Sequence, residues 1–185
     1  MKKLLFVIPL ALLLCLNFSC QKQVTEEIPE AMTEEEMKAR AERVLEIYNE
    51  GNLVLIDELY APEFVSHEYA TKEEVVGLDA FKQSITSLRT QYPDFNLTFD
   101  EIIVKDDKGV FLWTVTGTNT GPLQTPMGEL PPTGKKVQVS GVSISRRVNE
   151  KTVEQWVFYN MLDVMQQLGF TLTPPQPPEP QEEKK

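Results

Sequence analysis

The feature that most constrains the fold is a change in the spacing of apolar residues at Pro93. Before Pro93, apolar residues recur every three or four positions, as in the stripe of Met37, Ala41 and Tyr48. After it, apolar residues alternate with polar ones from Phe95 to Phe99. The first spacing is typical of amphipathic helices and the second of half-buried strands. A chain that places helices before strands predicts an α+β fold.

Three helices are predicted before Pro93. The first begins at a capping box, in which Thr33 caps the helix and Glu36 reaches back to the Thr33 backbone, and it ends near Gly51. The second and third have apolar faces formed by Leu53, Ile56 and Leu59, and by Leu78, Phe81, Ile85 and Leu88. Pro62 ends the second pattern, and Pro93 follows the third.

Four strands and a short helix are predicted after Pro93. The first strand begins near Phe95, and the other three are predicted over 110–120, 137–148 and 152–160. A long loop is predicted over 121–134. A helical segment over 162–168 stops at Gly169. We therefore expect a curved antiparallel sheet wrapped around the N-terminal helices, with Trp113, Trp156 and Phe158 on its long strands.

The N-terminus is typical of a secretory signal. Lys2 and Lys3 precede an apolar stretch from Leu4 to Leu16, which is too short for a membrane-spanning helix of about 20 residues. The segment ends in Ser19-Cys20 and resembles the lipobox of bacterial lipoproteins, although Asn17 replaces the usual Leu. That resemblance implies a lipid on Cys20 and a lipid-anchored protein of the bacterial cell envelope. An ordinarily cleaved or uncleaved signal is the alternative.

Composition narrows the possible functions and divides the chain. The formal net charge is −10, which argues against nucleic-acid binding because that requires cations to neutralise phosphates. One His and two Cys exclude a zinc site built from Cys and His, and no motif requires a cofactor. We expect a signal over 1–19, an acidic linker over 20–32, one domain over 33–172 and a Pro-rich tail over 173–185.

Five segments, taken in order, resemble the SnoaL-like polyketide cyclase and ester cyclase group of the nuclear transport factor 2-like superfamily. They are IYNEGNLVLIDELYAPEFVSH, GLDAFKQSITSLRTQYPDF, WTVTGTNTG, PPTGKKVQVSG and VEQWVFYNMLDVMQQLG. The resemblance implies a cone-shaped α+β barrel around an apolar pocket. Such a pocket is also a default ligand site on physical grounds.

The resemblance also implies a cofactor-free intramolecular aldol condensation. In the family, the acid that moves the proton follows the Trp of an E-x-W pattern by four residues. Here that position is Asn160. An amide can form hydrogen bonds but cannot serve as a general base, so we predict that Asn160 lies in the pocket as a hydrogen-bonding group.

Candidate site residues follow from the strand pattern and from the remaining ionisable groups. Trp156, Phe158 and Asn160 share one strand face with Glu154, and we predict that the first three line the pocket with Trp113. Candidate replacement bases are His67 and Asp163, although Asp163 also suits the first turn of the last helix. Tyr69 and Gln155 are weaker candidates.

Three functions fit these patterns. The first is a membrane-anchored domain that binds an apolar small molecule in a barrel pocket without converting it. The alternative is an ester cyclase-like enzyme or hydrolase acting through His67, Asp163 or a pocket water. A third is a dimerisation module, and a homodimer is compatible with each of them. Fold alone does not decide among these functions.

Overall fold

The computed structural model describes residues 33–125 and 128–173. Its helices are α1 (Glu34–Leu45), α2 (Val54–Leu59), α3 (Leu78–Gln91) and α4 (Met161–Gln167), and a π-helical segment, Glu46–Glu50, continues α1. The predicted signal, the linker and all of the tail beyond Thr173 lie outside the described residues. None of the helices in the described ranges has the length and apolar character needed to cross a membrane.

Eight strands are assigned in the described part of the chain. They are β1 (Tyr60–Glu68), β2 (Glu73–Val76), β3 (Asn96–Lys105), β4 (Lys108–Thr118), β5 (Leu123–Thr125), β6 (Gly128–Leu130), β7 (Lys136–Val148) and β8 (Lys151–Tyr159). Six of them form one sheet in the order β2-β1-β8-β7-β4-β3, and β5 pairs with β6. The strands β3, β4, β7 and β8 confirm the four predicted from alternation.

Local sequence explains the first helix. The Thr33 hydroxyl accepts a hydrogen bond from the Glu36 amide at 3.2 Å, and the Glu36 carboxylate accepts one from the Thr33 amide at 2.9 Å. This confirms the predicted capping box. The helical segment ends at Gly51, whose φ of 76° is a left-handed conformation that glycine adopts without strain. The buried face carries Met37, Ala41 and Ile47.

Two strands of the main sheet were not predicted. β1 follows α2 directly and contains Pro62, which ended the apolar pattern in the sequence. β1 pairs parallel to β8 and antiparallel to β2, so the sheet is antiparallel except at the β1–β8 junction. The predicted loop over 121–134 also contains the short β5–β6 pair. The sequence did not indicate β1 because only its second half alternates, and it did not indicate β2 because that strand has only four residues.

Two apolar clusters hold the helices against the sheet. One joins α1 to β3, β4, β7 and α4 and includes Met37, Leu97 and Trp113. The other joins α2, α3 and β1 through Ile56, Phe64 and other residues, with aromatic contacts among Tyr60, Phe64 and Phe81 at ring-centroid distances of 4.8–4.9 Å. The predicted α+β fold, a curved sheet packed against helices, is confirmed.

Candidate active site

A cavity of about 740 Å³ lies between the inner face of the sheet and helices α1, α3 and α4. Its size is in the range of small-molecule sites. The aromatic rings in its wall include Tyr48, Phe81, Tyr92, Phe95, Phe111 and Trp113. Aliphatic side chains such as Val137 and Leu168 complete the wall. A wall rich in aromatic and aliphatic side chains favours a ligand with a large apolar surface.

The structure corrects the predicted orientation of β8. Gln155, Val157 and Tyr159 line the cavity, whereas Trp156 and Phe158 do not. Trp156 and Phe158 lie on the outer face, where Phe158 is 40% exposed. The prediction was wrong because aromatic residues occupy both faces of β8, so alternation alone did not indicate which face is interior.

The structure also places Asn160 and Asp163 away from the cavity wall. Asn160 is the exposed N-cap of α4, and its side-chain oxygen accepts a hydrogen bond from the Asp163 amide at 3.2 Å. Asp163 lies in the first turn of α4, and its carboxylate accepts a hydrogen bond from the Gln167 side chain at 2.8 Å. Neither residue lines the cavity. The predicted pocket position of Asn160 was wrong, because the helix begins at that residue and uses its side chain as a cap.

His67 lies on the outer face of the sheet, between two carboxylates. Its Nδ1 is 3.0 Å from Glu74 and its Nε2 is 3.0 Å from Glu154. The ring stacks on Trp156 at 5.8 Å. The hydrogen bond to Glu154 raises the pKa of His67, and partial burial opposes this rise. His67 therefore connects β1, β2 and β8 and does not line the cavity, so its candidate role as a pocket base is not supported.

Trp113 occupies the inner face of β4 and lines the cavity. It is 8% exposed, and its ring lies 6.2 Å from that of Tyr159. Gly141 on β7 allows this close packing, because a Cβ at that position would collide with the Trp113 indole. Trp113 is thus the one predicted pocket residue that the structure places in the cavity wall.

Glu68 is a cavity carboxylate that the sequence reasoning missed. It lies at the end of β1, and its Oε1 accepts a hydrogen bond from the Ser66 hydroxyl at 2.6 Å. Burial raises the pKa of Glu68, the charge of Glu73 adds to the rise, and the Ser66 hydrogen bond opposes it. The available signal was the alternation of FVSHE, in which Ser66 and Glu68 point opposite to His67.

Hydrogen-bond donors lie close to Glu68. The Gln155 amide donates to the Ser66 hydroxyl at 3.4 Å. Burial, together with the negative charge of Glu68, raises the pKa of Tyr159 to about 12, and burial raises the pKa of Tyr48 as well. Both phenols therefore stay protonated at neutral pH and can donate a hydrogen bond to a ligand. Around Glu68, the site therefore combines a proton-accepting carboxylate with neutral donors.

The described part of the chain brings no three His, Cys, Asp or Glu residues together in a way that could hold a metal ion. The charged residues of the cavity wall are Arg40, Glu68 and Glu73. Two of these are carboxylates that face each other across β1 and β2. The chemistry that these residues offer is proton transfer.

The fold is shared with several solved structures. TsrD from Streptomyces laurentii is 24% identical over 75% of this chain and 98% of that chain, with a TM-score of 0.65. AclR from Streptomyces galilaeus is 26% identical over 74% and 98%, with a TM-score of 0.61. A protein of ketosteroid isomerase-like fold from Catenulispora acidiphila, in complex with trimethylamine, is 14% identical over 72% and 96%, with a TM-score of 0.59.

No curated protein matches this sequence. The model of the SnoaL-like polyketide cyclase family does match it, over residues 38–168. That range runs from the first turns of α1 to the end of α4, so it includes both the helices and the sheet that enclose the cavity. The chain belongs to the SnoaL-like polyketide cyclase family.

Proposed function

We propose that this protein is a cofactor-free enzyme that moves a proton at a carbon next to a carbonyl group of an apolar substrate. The observation that carries the proposal is the Glu68 carboxyl in the wall of an aromatic cavity, with a pKa raised by burial. A carboxyl whose pKa approaches neutrality can both accept and return a proton. The membership of the SnoaL-like family supports ring closure by aldol addition as the reaction.

The steps of that reaction balance without a cofactor. Glu68 takes a proton from the carbon next to a carbonyl, and the electrons of the broken C–H bond form an enolate. The enolate carbon then attacks a second carbonyl of the same molecule, which forms a C–C bond and leaves an alkoxide. The proton held by Glu68 neutralises that alkoxide. No atom or electron leaves the substrate, so the net change is an isomerisation.

The groups around Glu68 support this role. Ser66 is fully buried and holds one carboxylate oxygen of Glu68, which fixes the orientation of the base. Tyr159 and Tyr48 line the same cavity, and their hydroxyl groups remain protonated at neutral pH. A donor in a site that excludes water stabilises a developing enolate oxygen far better than it would in bulk solvent.

The placement of Asn160 changes the balance between binding and catalysis. The sequence favoured a binding domain because an amide stands at the family's acid position. Asn160 is an exposed helix cap, and Glu68 supplies a carboxyl inside the cavity from a different strand. An active site with a relocated base therefore accounts for the cavity better than a site without one.

The proposal is tested with 2-tetralone, an apolar ketone whose α-protons exchange with deuterium through an enolate. Exchange in D₂O is followed by proton NMR with and without protein. We expect the parent to accelerate exchange and Glu68→Gln to lose at least a hundredfold of that acceleration, within the range attributed to a general base. The matched control is Glu74→Gln, which removes a carboxylate from the outer face of the sheet and should leave exchange unchanged.

Two results would contradict the proposal. One is a parent that binds the ketone without accelerating exchange, which would support the binding-domain alternative. The other is acceleration that survives Glu68→Gln and is lost in His67→Ala or Asp163→Ala. Because Glu68 must be ionised to act, and its pKa is raised, the exchange rate should rise with pH through a value above that of an ordinary Glu.

We also propose that the protein is a lipoprotein of the bacterial envelope, attached through Cys20. The support is Ser19-Cys20 after an apolar stretch with two preceding lysines. Buried lipid chains contribute ~0.8 kcal/mol per methylene and anchor a protein without spanning the bilayer. Cys20→Ser should move the protein out of the detergent phase on partitioning. If Cys15→Ser leaves the detergent phase and Cys20→Ser stays in it, the lipid is attached to Cys15.

A further inference from the structure

The cavity has a second polar end, at a distance from Glu68. On β8, Thr152 pairs with Tyr60 at the start of β1, and Val157 pairs with Glu68 at its end. Those two β8 positions are separated by about 16 Å at the usual rise of a strand. Thr152 and Tyr60 both line the cavity and are buried. The side chain of Arg40, from α1, reaches this end.

The guanidinium of Arg40 contacts neutral acceptors. Its Nη2 donates to the Thr152 hydroxyl at 2.9 Å and to the Leu59 carbonyl, and its Nη1 donates to the Glu150 carbonyl at 3.0 Å. Among residues 33–125 and 128–173, Arg40 forms no ion pair with a carboxylate. Because Thr152 is part of the cavity wall, the guanidinium is positioned at that wall.

Two arginines lie near this end of the cavity: Arg40 lines the wall, and Arg147 pairs with Thr152 across β7 and β8 without lining it. A guanidinium carries five N–H donors, and acceptors of the described chain receive three hydrogen bonds from Arg40. Burial lowers the pKa of Arg40 to about 10, and the positive charge of Arg147 contributes to the shift. The Nε of Arg147 is itself buried without a partner in the described part of the chain. The negative charge of Glu150 acts to raise the pKa of both arginines, against the larger effect of burial, but no carboxylate of the described residues forms an ion pair with Arg40. A partly buried cation without an ion pair costs free energy.

We propose that this end of the cavity binds a carboxylate group of the ligand, held by Arg40 with support from the charge of Arg147. The substrate is then an elongated apolar molecule with an anionic group at one end and its reacting carbonyl at the other. The assignment of the reacting end rests on the proposed function of Glu68. The anion site itself does not.

Charge and polarity along the cavity fit such a ligand. Glu68 and Glu73 make the opposite end negative, so a carboxylate is repelled from that end and attracted to Arg40. Between the two ends, Ser145 on β7 and Gln155 on β8 are paired neighbours that both line the wall. The arrangement orients a ligand along the cavity, with its anion away from the base.

Decanoate and decan-1-ol test the inference, because they share a chain length and differ in charge. Affinities are measured by isothermal titration calorimetry with the parent. We expect decanoate to bind at least tenfold more tightly, since an arginine–carboxylate contact is a strong, charge-assisted hydrogen bond. Arg40→Gln should bring the two affinities within threefold of each other. The control Arg43→Gln, on the same helix but paired with Glu58, should retain the preference.

Equal affinity of the parent for the two ligands would overturn the inference, as would a folded Arg40→Gln that keeps the preference. If Arg40→Gln does not fold, Arg147→Gln takes its place, with at least a threefold loss of preference expected and an unchanged preference counting against the site. Glu68→Gln separates the two proposals: it should lose at least a hundredfold of the acceleration of 2-tetralone exchange and still bind decanoate more tightly than decan-1-ol, because Arg40 is unchanged. Failure of the proposed base can therefore be distinguished from failure of the proposed anion site.

Discussion

Two carboxylates of the main sheet, Glu68 on β1 and Glu154 on β8, lie in opposite environments on its two faces. Glu68 points into the cavity, where burial and the charge of Glu73 raise its pKa. His67 points outward and contacts Glu154, whose pKa is lowered by the hydrogen bond to His67 and by Arg146, which donates to it at 3.0 and 3.1 Å. Within the described residues, the inner carboxylate forms no ion pair, whereas the outer one contacts Arg146 and His67.

This difference shows that position on the sheet, and not residue type, determines what a carboxylate does here. On the outer face, Glu154 is stabilised as an anion and contributes to the attachment of β1 to β7 and β8. On the inner face, Glu68 is held in a state that favours its protonated form. Destabilised ionisable groups cluster at functional sites. On β1, His67 belongs to a structural network on the outer face, and the adjacent Glu68 is the candidate reactive group on the inner face.

The largest expected difference between the two faces concerns packing. Trp113→Ala on the inner face should lower the free energy of unfolding by ~3–5 kcal/mol, the usual cost of removing a buried aromatic side chain. Phe158→Ala on the outer face should cost less than ~1 kcal/mol, because Phe158 is 40% exposed. Urea unfolding of the two variants measures both. Similar losses would contradict the assignment of inner and outer faces on β8.

The next difference concerns the two carboxylates. Glu68→Gln should raise the free energy of unfolding near pH 7 by ~0.5–2 kcal/mol, because the folded parent must ionise a buried carboxyl and the amide stays neutral. The raised pKa means that the parent loses stability as pH rises through that value. Glu154→Gln should instead lower the free energy of unfolding by less than ~1 kcal/mol. We expect the two changes in the free energy of unfolding to have opposite signs, and a destabilised Glu68→Gln would contradict the assignment of Glu68 to a buried, unfavourable environment.

The smallest expected effect is the pH dependence of His67. Its pKa is raised, so its contribution to stability is fully present below the ordinary value and is lost as pH rises through the folded value. The free energy of unfolding of the parent should exceed that of His67→Gln at both pH values, and the difference should be larger at pH 6 than at pH 8. The imidazole contacts the carboxylates of Glu74 and Glu154. Two cations lie one contact further away: Arg146 donates to Glu154, and the Nζ of Lys108 lies 5.9 Å from the Trp156 ring. An equal gap at the two pH values would show that His67 acts only by packing.

The periodicity of apolar residues in the sequence was enough to predict most of the helices and the long strands. The capping box at Thr33, the apolar stripe of α3 and the alternation in β3 and β4 are local signals, and each appears in the structure. β1 could not be read in the same way. Its position depends on parallel pairing with β8, which lies more than eighty residues later in the chain, and such a long-range contact leaves no local pattern.

Local periodicity predicts that helices precede a sheet and that Trp113 belongs to the interior. Which side of β1 and β8 faces the cavity depends on tertiary packing. Strand side chains alternate, so a strand with apolar groups on both sides has two possible orientations, and a change of one residue reverses them all. The pairing of His67 with Trp156 and of Glu68 with Val157 fixes one orientation. It puts Glu68 inside and leaves His67 with the outer carboxylates, because a buried sheet face can be chosen only once the helices are packed against it.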